Sequence, residues 1–142
     1  MALLWSDDSD GKRLQVRSAG RTRRLYVDGV LHTQYNPDLP LTGSVWDHLA
    51  LSALFAPAGA IKRALVLGLG GGAVVHLLRR YVQPGEIVAL ELDERRIDLA
   101  RRFFEVQQPD ATLVHADARA WARDYDGPPF QLVVDDLFDE EG

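Results

Sequence analysis

The feature that most constrains this chain is the glycine-rich turn Gly68-Leu69-Gly70-Gly71-Gly72. It is preceded by the apolar run Ala64-Leu65-Val66-Leu67 and followed by Ala73, Val74, Leu77, Leu78 and Tyr81 at helical spacing. A short run apolar at every position fits a strand buried on both faces, and the stripe after it fits an amphipathic helix. The turn and Ala73 together match G-x-G-x-x-G/A. Glycine permits the tight turn and leaves no Cβ between backbone and ligand. The helix that follows offers free N–H groups and the positive end of its dipole. Such a strand–turn–helix unit predicts a parallel sheet that holds its ligand at the carboxyl ends of the strands.

The rest of the chain supports that sheet. Ile87-Val88-Ala89-Leu90 predicts a second buried strand ending at Glu91, and Asp93 is placed to cap a helix through Phe104. Thr112-Leu113-Val114 predicts a third strand, and Ala118, Trp121, Ala122 and Tyr125 a further helix with Trp121 in the core. Gln131-Leu132-Val133-Val134 predicts a fourth strand, ending at Asp135-Asp136. Upstream, residues 12–35 read as strands, with a turn at Ser18-Ala19-Gly20 and a two-residue hairpin at Asp28-Gly29. A proline-containing loop follows, and then a helix capped by Thr42 or Ser44 and ended by Pro57 and Gly59. Its side Val45, Leu49, Ser52 and Ala56 is flanked by Trp46, Ala50 and Leu54. The expected division is a β-hairpin unit and loop over 1–43 and a nucleoside-binding core over 44–142.

Composition narrows the chemistry. The 142 residues suit one domain. Without cysteine there is no disulfide framework, thiolate metal site or cysteine nucleophile. His32, His48, His76 and His115 show no metal-ligand spacing, so no metal is expected. His76 reads as a surface or boundary residue, and the pairs Arg79-Arg80, Arg95-Arg96 and Arg101-Arg102 as solvated helix faces. A net charge of −5 argues against a nucleic-acid partner. No apolar run reaches the ~20 residues of a membrane span, and the start of the chain lacks the pattern of a signal peptide. No membrane association and a cytoplasmic location are therefore expected. Asp139-Glu140-Glu141-Gly142 reads as a solvated charged end.

Three acids fall at strand carboxyl ends: Glu91, Asp117 and Asp135. Glu91 lies close to the ~20-residue spacing at which a carboxylate holds ribose hydroxyls. Asp117 suits an adenine amino group, and it suits equally the cap of the helix after it. An acid there favours an adenosyl thioether over a dinucleotide. Gly68, Gly70 and Gly72 would form its backbone cradle.

These segments together resemble the spermidine synthase family, aminopropyltransferases with a class I methyltransferase-like core, over roughly residues 13–138. Tyr26-Val27-Asp28-Gly29-Val30 resembles its Leu-Asp-Gly-Val-type turn, and Val66-Leu67-Gly68-Leu69-Gly70-Gly71-Gly72 its glycine motif. Ala89-Leu90-Glu91-Leu92-Asp93 resembles the Val-Glu-Ile-Asp segment whose Glu binds ribose. Ala116-Asp117-Ala118 resembles the segment that holds adenine. Phe130-Gln131-Leu132-Val133-Val134-Asp135 resembles the Tyr-Asp-Val-Ile-Ile-Val-Asp strand, whose last Asp lies at the reaction centre. The departures fall on the acceptor side. Gly71 stands where the family keeps an Asp for the donor's amino group. Trp46-Asp47-His48 replaces Tyr-His-Glu, His32 replaces a Gln, and the second Asp after the fourth strand is lost unless Asp136 or Asp139 substitutes.

The resemblance implies an α/β, class I methyltransferase-like (Rossmann-like) parallel sheet with an N-terminal antiparallel β unit. The chain stops after strand four, so a C-terminally truncated core is expected. It implies S-adenosylmethionine or decarboxylated S-adenosylmethionine as co-substrate, Asp135 as the base of aminopropyl transfer to an amine, and Asp136, His32 and Trp46 on the substrate side. It also implies a small-molecule substrate and a homo-oligomer. The alternatives are an S-adenosylmethionine-dependent methyltransferase on an unknown small acceptor, a non-catalytic adenosyl-nucleoside-binding or assembly module and, more distantly, an NAD-binding domain.

Overall fold

Two four-stranded sheets lie along the chain in the computed structural model, which describes residues 1–107 and 111–138. The first is an antiparallel meander in the order β1-β2-β3-β4, formed by Ala2–Asp7, Leu14–Ala19, Thr22–Val27 and Val30–Tyr35. The second is parallel, in the order β7-β6-β5-β8, from Arg63–Leu67 (β5), Glu86–Glu91 (β6), Thr112–His115 (β7) and Leu132–Asp135 (β8). The helices are Val45–Leu51 (α1), Ala73–Tyr81 (α2), Glu94–Phe103 (α3) and Ala118–Asp124 (α4). This is the expected α/β architecture with its N-terminal antiparallel unit. The acidic end at Asp139-Glu140-Glu141-Gly142 lies outside the described residues.

The parallel strands bury both faces, as their unbroken apolar runs require. Ala64, Val66, Ile87 and Ala89 enter a large core shared with α1, α2, α3 and the first sheet, including Leu14, Val16, Leu25 and Phe104. Leu65, Val88 and Leu90 enter a smaller one closed by Ala118, with Trp121 packed against it. Asp28 and Gly29 both have positive φ, 49° and 84°, as a tight two-residue hairpin demands. Asp93 caps α3 through a bond from the Arg95 N–H at 3.0 Å.

Several local expectations are corrected. Ala2–Asp7 is a strand, although its apolar residues show no alternation. Leu3 and Leu4 stay 55% and 42% exposed, so pairing with β2, through an irregularity between Leu3 and Trp5, holds it rather than burial. The next turn falls at Gly20-Arg21, with Ala19 and Thr22 paired, two residues beyond its expected start. The side chain of Ser44 makes no cap bond to α1. Asp47 instead reaches back to accept from the N–H groups of Thr42 and Gly43 and from the Thr42 hydroxyl. The buried face of α1 is Trp46 and Ala50, and Val45 is exposed. Trp121 is only half-buried, stacked on Tyr125 at a centroid distance of 4.5 Å. Among the described residues no helix is long and apolar enough to cross a membrane.

Candidate active site

A cavity of about 650 Å³ opens where the carboxyl ends of the parallel strands face β4. Its volume falls in the range of small-molecule sites, roughly 300–1,000 Å³. Glu91 ends β6 inside it and is only 5% exposed. One carboxylate oxygen accepts from the Gly70 N–H at 3.0 Å and the other from the Asp93 N–H at 3.1 Å. The Arg96 guanidinium lies 3.8 Å from the second oxygen. The charge is thus held in one orientation with lone pairs to spare, which suits a pair of ribose hydroxyls.

The glycine turn is tied to the same strand, since the N–H groups of Gly68 and Leu69 both donate to the Leu90 carbonyl. Gly68 has φ +88°, and a Cβ there would sit 2.5 Å from the Asp136 carbonyl oxygen. Glycine is therefore required twice, by conformation and by the backbone leaving β8. Gly68 and Gly70 line the cavity. Gly72 does not: it packs on Val106, whose methyl a Cβ would strike, so its role is the close approach of turn and protein rather than of ligand. A Cβ at Gly71 would collide with the methyl of the buried Thr33. The place where the related family keeps an acid is thus filled by β4.

Asp117 and Ala118 line the cavity from the β7 end. Asp117 faces the cavity, and one of its oxygens accepts from the Ala120 N–H at 2.8 Å to cap α4. The acids follow the strand order, Asp117 after β7, Glu91 at β6 and Asp136 after β8. At about 4.8 Å per strand the row spans roughly 14 Å.

Of the two acids Asp135 and Asp136, the cavity takes the second. Asp135 is exposed, lies outside the cavity lining and accepts from the Leu137 N–H at 3.0 Å. Asp136 lines the cavity. Alternation along β8 explains this, since Asp136 falls on the same side as the buried Val134. A count agrees, because the seven residues of Tyr-Asp-Val-Ile-Ile-Val-Asp laid from Phe130 end on Asp136. Burial pushes the Asp136 carboxyl up to about 6, opposed by a hydrogen bond from the Trp46 side chain and aided by the charges of Asp135 and Glu91. Trp46 is both core and site: it is 6% exposed, lines the cavity and donates to Asp136. His32 lines the same end, its ring edge-on to Phe138 at 5.8 Å.

Two basic residues read as solvated are not. Arg96 lines the cavity with its side chain 15% exposed, and Arg95 is bound to Asp93 and Asp7. Their position in the first turn after a strand's carboxyl end was the available signal, because that turn faces the ligand edge. His76 is a joint: its ring stacks on Tyr35 at 4.2 Å and Nε2 meets the Phe104 carbonyl at 2.6 Å.

A family model described as a methyltransferase domain matches residues 64–139, over half of the chain. A probable polyamine aminopropyl transferase of Bifidobacterium longum is 36% identical over 86 residues, covering 59% of this chain and 18% of that protein. Putrescine N-methyltransferase 2 of Nicotiana attenuata is 27% identical over 146 residues, covering 99% of this chain and 38% of that protein. Among solved structures, a probable spermidine synthase from Corynebacterium glutamicum superposes with a TM-score of 0.77 at 17% identity, over 99% of this chain and 53% of that one. The chain thus spans about half of the solved relative and less of the curated ones. The matched segment begins in β5 and takes in the glycine turn, Glu91, Asp117 and Asp136, and so the chain belongs to the methyltransferase-domain family, with a spermidine synthase-like, class I methyltransferase-like fold.

Proposed function

We propose that this chain binds an S-adenosyl donor and transfers a group from its sulfur to the nitrogen of a small amine. Aminopropyl transfer from decarboxylated S-adenosylmethionine is the first reading and methyl transfer from S-adenosylmethionine the second. The observation that carries the proposal is the separation of acids along one edge of the cavity: Glu91 at β6, Asp117 after β7, and Asp136 beside Trp46 after β8. Two relatives support it, since an aminopropyl transferase and a putrescine N-methyltransferase are both named for additions to amines. Residues 44–142 would hold the donor, and residues 1–43 would close the cavity over it. A cytoplasmic location belongs to the same reading. So does a homo-oligomer; monomeric behaviour by light scattering would count against that clause.

Glu91 would hold the ribose hydroxyls and Asp117 and Ala118 the adenine, while Gly68 and Gly70, without side chains, would let the donor lie close to the turn. Bound, the donor supplies a carbon activated by positively charged sulfur: the new N–C bond forms as the C–S pair returns to sulfur. Asp136 accepts the proton the amine nitrogen gives up, with Trp46 orienting its carboxyl. The rest of the catalysis is alignment.

Thermal shift with methylthioadenosine, S-adenosylmethionine, its decarboxylated form and NAD tests the donor, because a ligand that binds the native state raises the melting temperature. A rise with adenosyl thioethers and none with NAD is expected, and the reverse would replace the reading. Asp136→Asn should abolish transfer and keep the thermal shift. Transfer surviving in that variant would remove Asp136 as the base, and absence of transfer in the parent would favour a non-catalytic nucleoside-binding module.

A further inference from the structure

The neighbouring arginines Arg95 and Arg96 stand in the first turn of α3, and each meets one of two acids that line the cavity, Asp93 and Glu91. Arg95 closes on Asp93 within hydrogen-bond distance. Its guanidinium group reaches the two carboxylate oxygens at 2.7 and 3.0 Å, and its backbone N–H meets the same side chain at 3.0 Å. Both oxygens of Asp93 are thereby taken. Arg96 meets Glu91 differently, because Nη1 stops 3.8 Å from Oε1, beyond the roughly 3.2 Å reach of an N–H···O bond. We propose that Arg96 is the positioning residue that makes Glu91, rather than Asp93, the acid that holds the ribose hydroxyls. The inference rests on the donor reading above and deepens it.

The physical case starts from burial. The Glu91 side chain is 5% exposed and that of Arg96 15%. A carboxylate so far from water is costly unless an opposite charge stands beside it. Glu91 accepts one neutral N–H on each oxygen, from Gly70 and from Asp93. These bonds fix its orientation and leave its charge uncompensated. Arg96 supplies the charge, and at this low exposure water screens the pair weakly. Because the guanidinium group stays outside bonding distance, it fills no lone pair. A carboxylate has about four lone-pair sites. Two carry the N–H bonds, so two remain for a pair of adjacent hydroxyls. A guanidinium group at the distance Arg95 keeps from Asp93 would fill them. The backbone sets this spacing, since Asp93 caps α3 and its carbonyl accepts from the Arg96 N–H at 3.0 Å.

Calorimetry on the full chain with methylthioadenosine and its 2′-deoxy analogue tests this, the ratio of the two affinities being the readout. The parent should prefer the intact ribose by about thirtyfold, the scale of a hydrogen bond to a charged group. Arg96→Met should cut that preference to about fivefold, because a buried carboxylate without its counter-charge gives up its charge or its place, and neutral hydrogen bonds are roughly half as strong. Arg96→Lys, which keeps the charge, should restore most of the preference. Arg96→Gln gives the same reading as the methionine variant should that one fail to melt cooperatively. An unchanged ratio in the uncharged variants overturns the inference, even where both affinities fall together as a structural role requires. So does a lysine variant that restores nothing, which would make the guanidinium group a direct contact. Failure of methylthioadenosine to bind the parent chain overturns the donor reading instead, and this inference falls with it.

Discussion

Asp136 is the residue at which folding and chemistry pull in opposite directions. An acid whose folded pKa is raised to about 6 favours the folded state when protonated. Ionisation therefore costs stability as pH rises from about 4, its unfolded value, through 6. Asp136→Asn removes that cost, so it should stabilise the protein at pH 8 and change little at pH 4. The expected gain is roughly 1–2 kcal/mol, the shift being discounted for solvent screening at a half-buried carboxyl. Denaturant titrations at the two pH values measure it. In the parent chain, transfer should fall below about pH 6, as protonation removes the base. Glu91 was legible in the sequence because a single acid ends an unambiguous apolar run. Which acid after β8 lines the cavity was not legible, because Asp135 and Asp136 are chemically identical neighbours and only the facing of β8 separates them.

Elements with a strong period were legible, and those held by contacts elsewhere were not. The stretch from β5 to α3 follows from apolar runs, glycines and the Asp93 cap, each a local cause. β1 has no such signal, because pairing with β2 and the ionic contacts of Asp7 hold it in place. At α4 one residue serves two purposes that substitution can separate. Asp117 caps the helix through one oxygen and faces the cavity. Asparagine caps about as well as aspartate, whereas alanine costs about 1 kcal/mol. Asp117→Asn should therefore keep the melting temperature, and by replacing the charged acceptor it should weaken methylthioadenosine by about tenfold, one charge-assisted hydrogen bond being worth roughly 1.5–3 kcal/mol. Asp117→Ala should lose both. Equal donor affinity in the parent and the asparagine variant would confine Asp117 to capping.

Beside the shared core, two polar joints among the described residues tie the first sheet to the helices of the second, and they matter to the site because the cavity takes walls from both. In one, Tyr35 of β4 donates to Glu105 at 2.7 Å and stacks on His76 of α2. In the other, the Arg95 guanidinium on α3 binds Asp93 at 2.7 Å, Asp7 of β1 at 3.0 Å and the Ser9 carbonyl at 2.9 Å. The Ser9 side chain and then Arg95 hold Asp7 below the usual carboxylate range. Burial pushes Asp93 up, but its bonds from the Arg95 side chain and N–H outweigh this and hold it low. Both folded pKa values are depressed, so the joint's contribution is present above about pH 4 and is lost as pH falls through the folded values. Arg95→Met keeps most of the apolar stem and removes the charge. It should lower the melting temperature at pH 7 by about 3–6 °C, with the difference from the parent shrinking toward pH 3. Because Lys12, in the connection from β1 to β2, and His32 of β4 line the cavity, the same variant should weaken methylthioadenosine at pH 7. A variant that melts lower yet binds the nucleoside as tightly as the parent would show that the first sheet need not be anchored at Arg95 for the donor end to form.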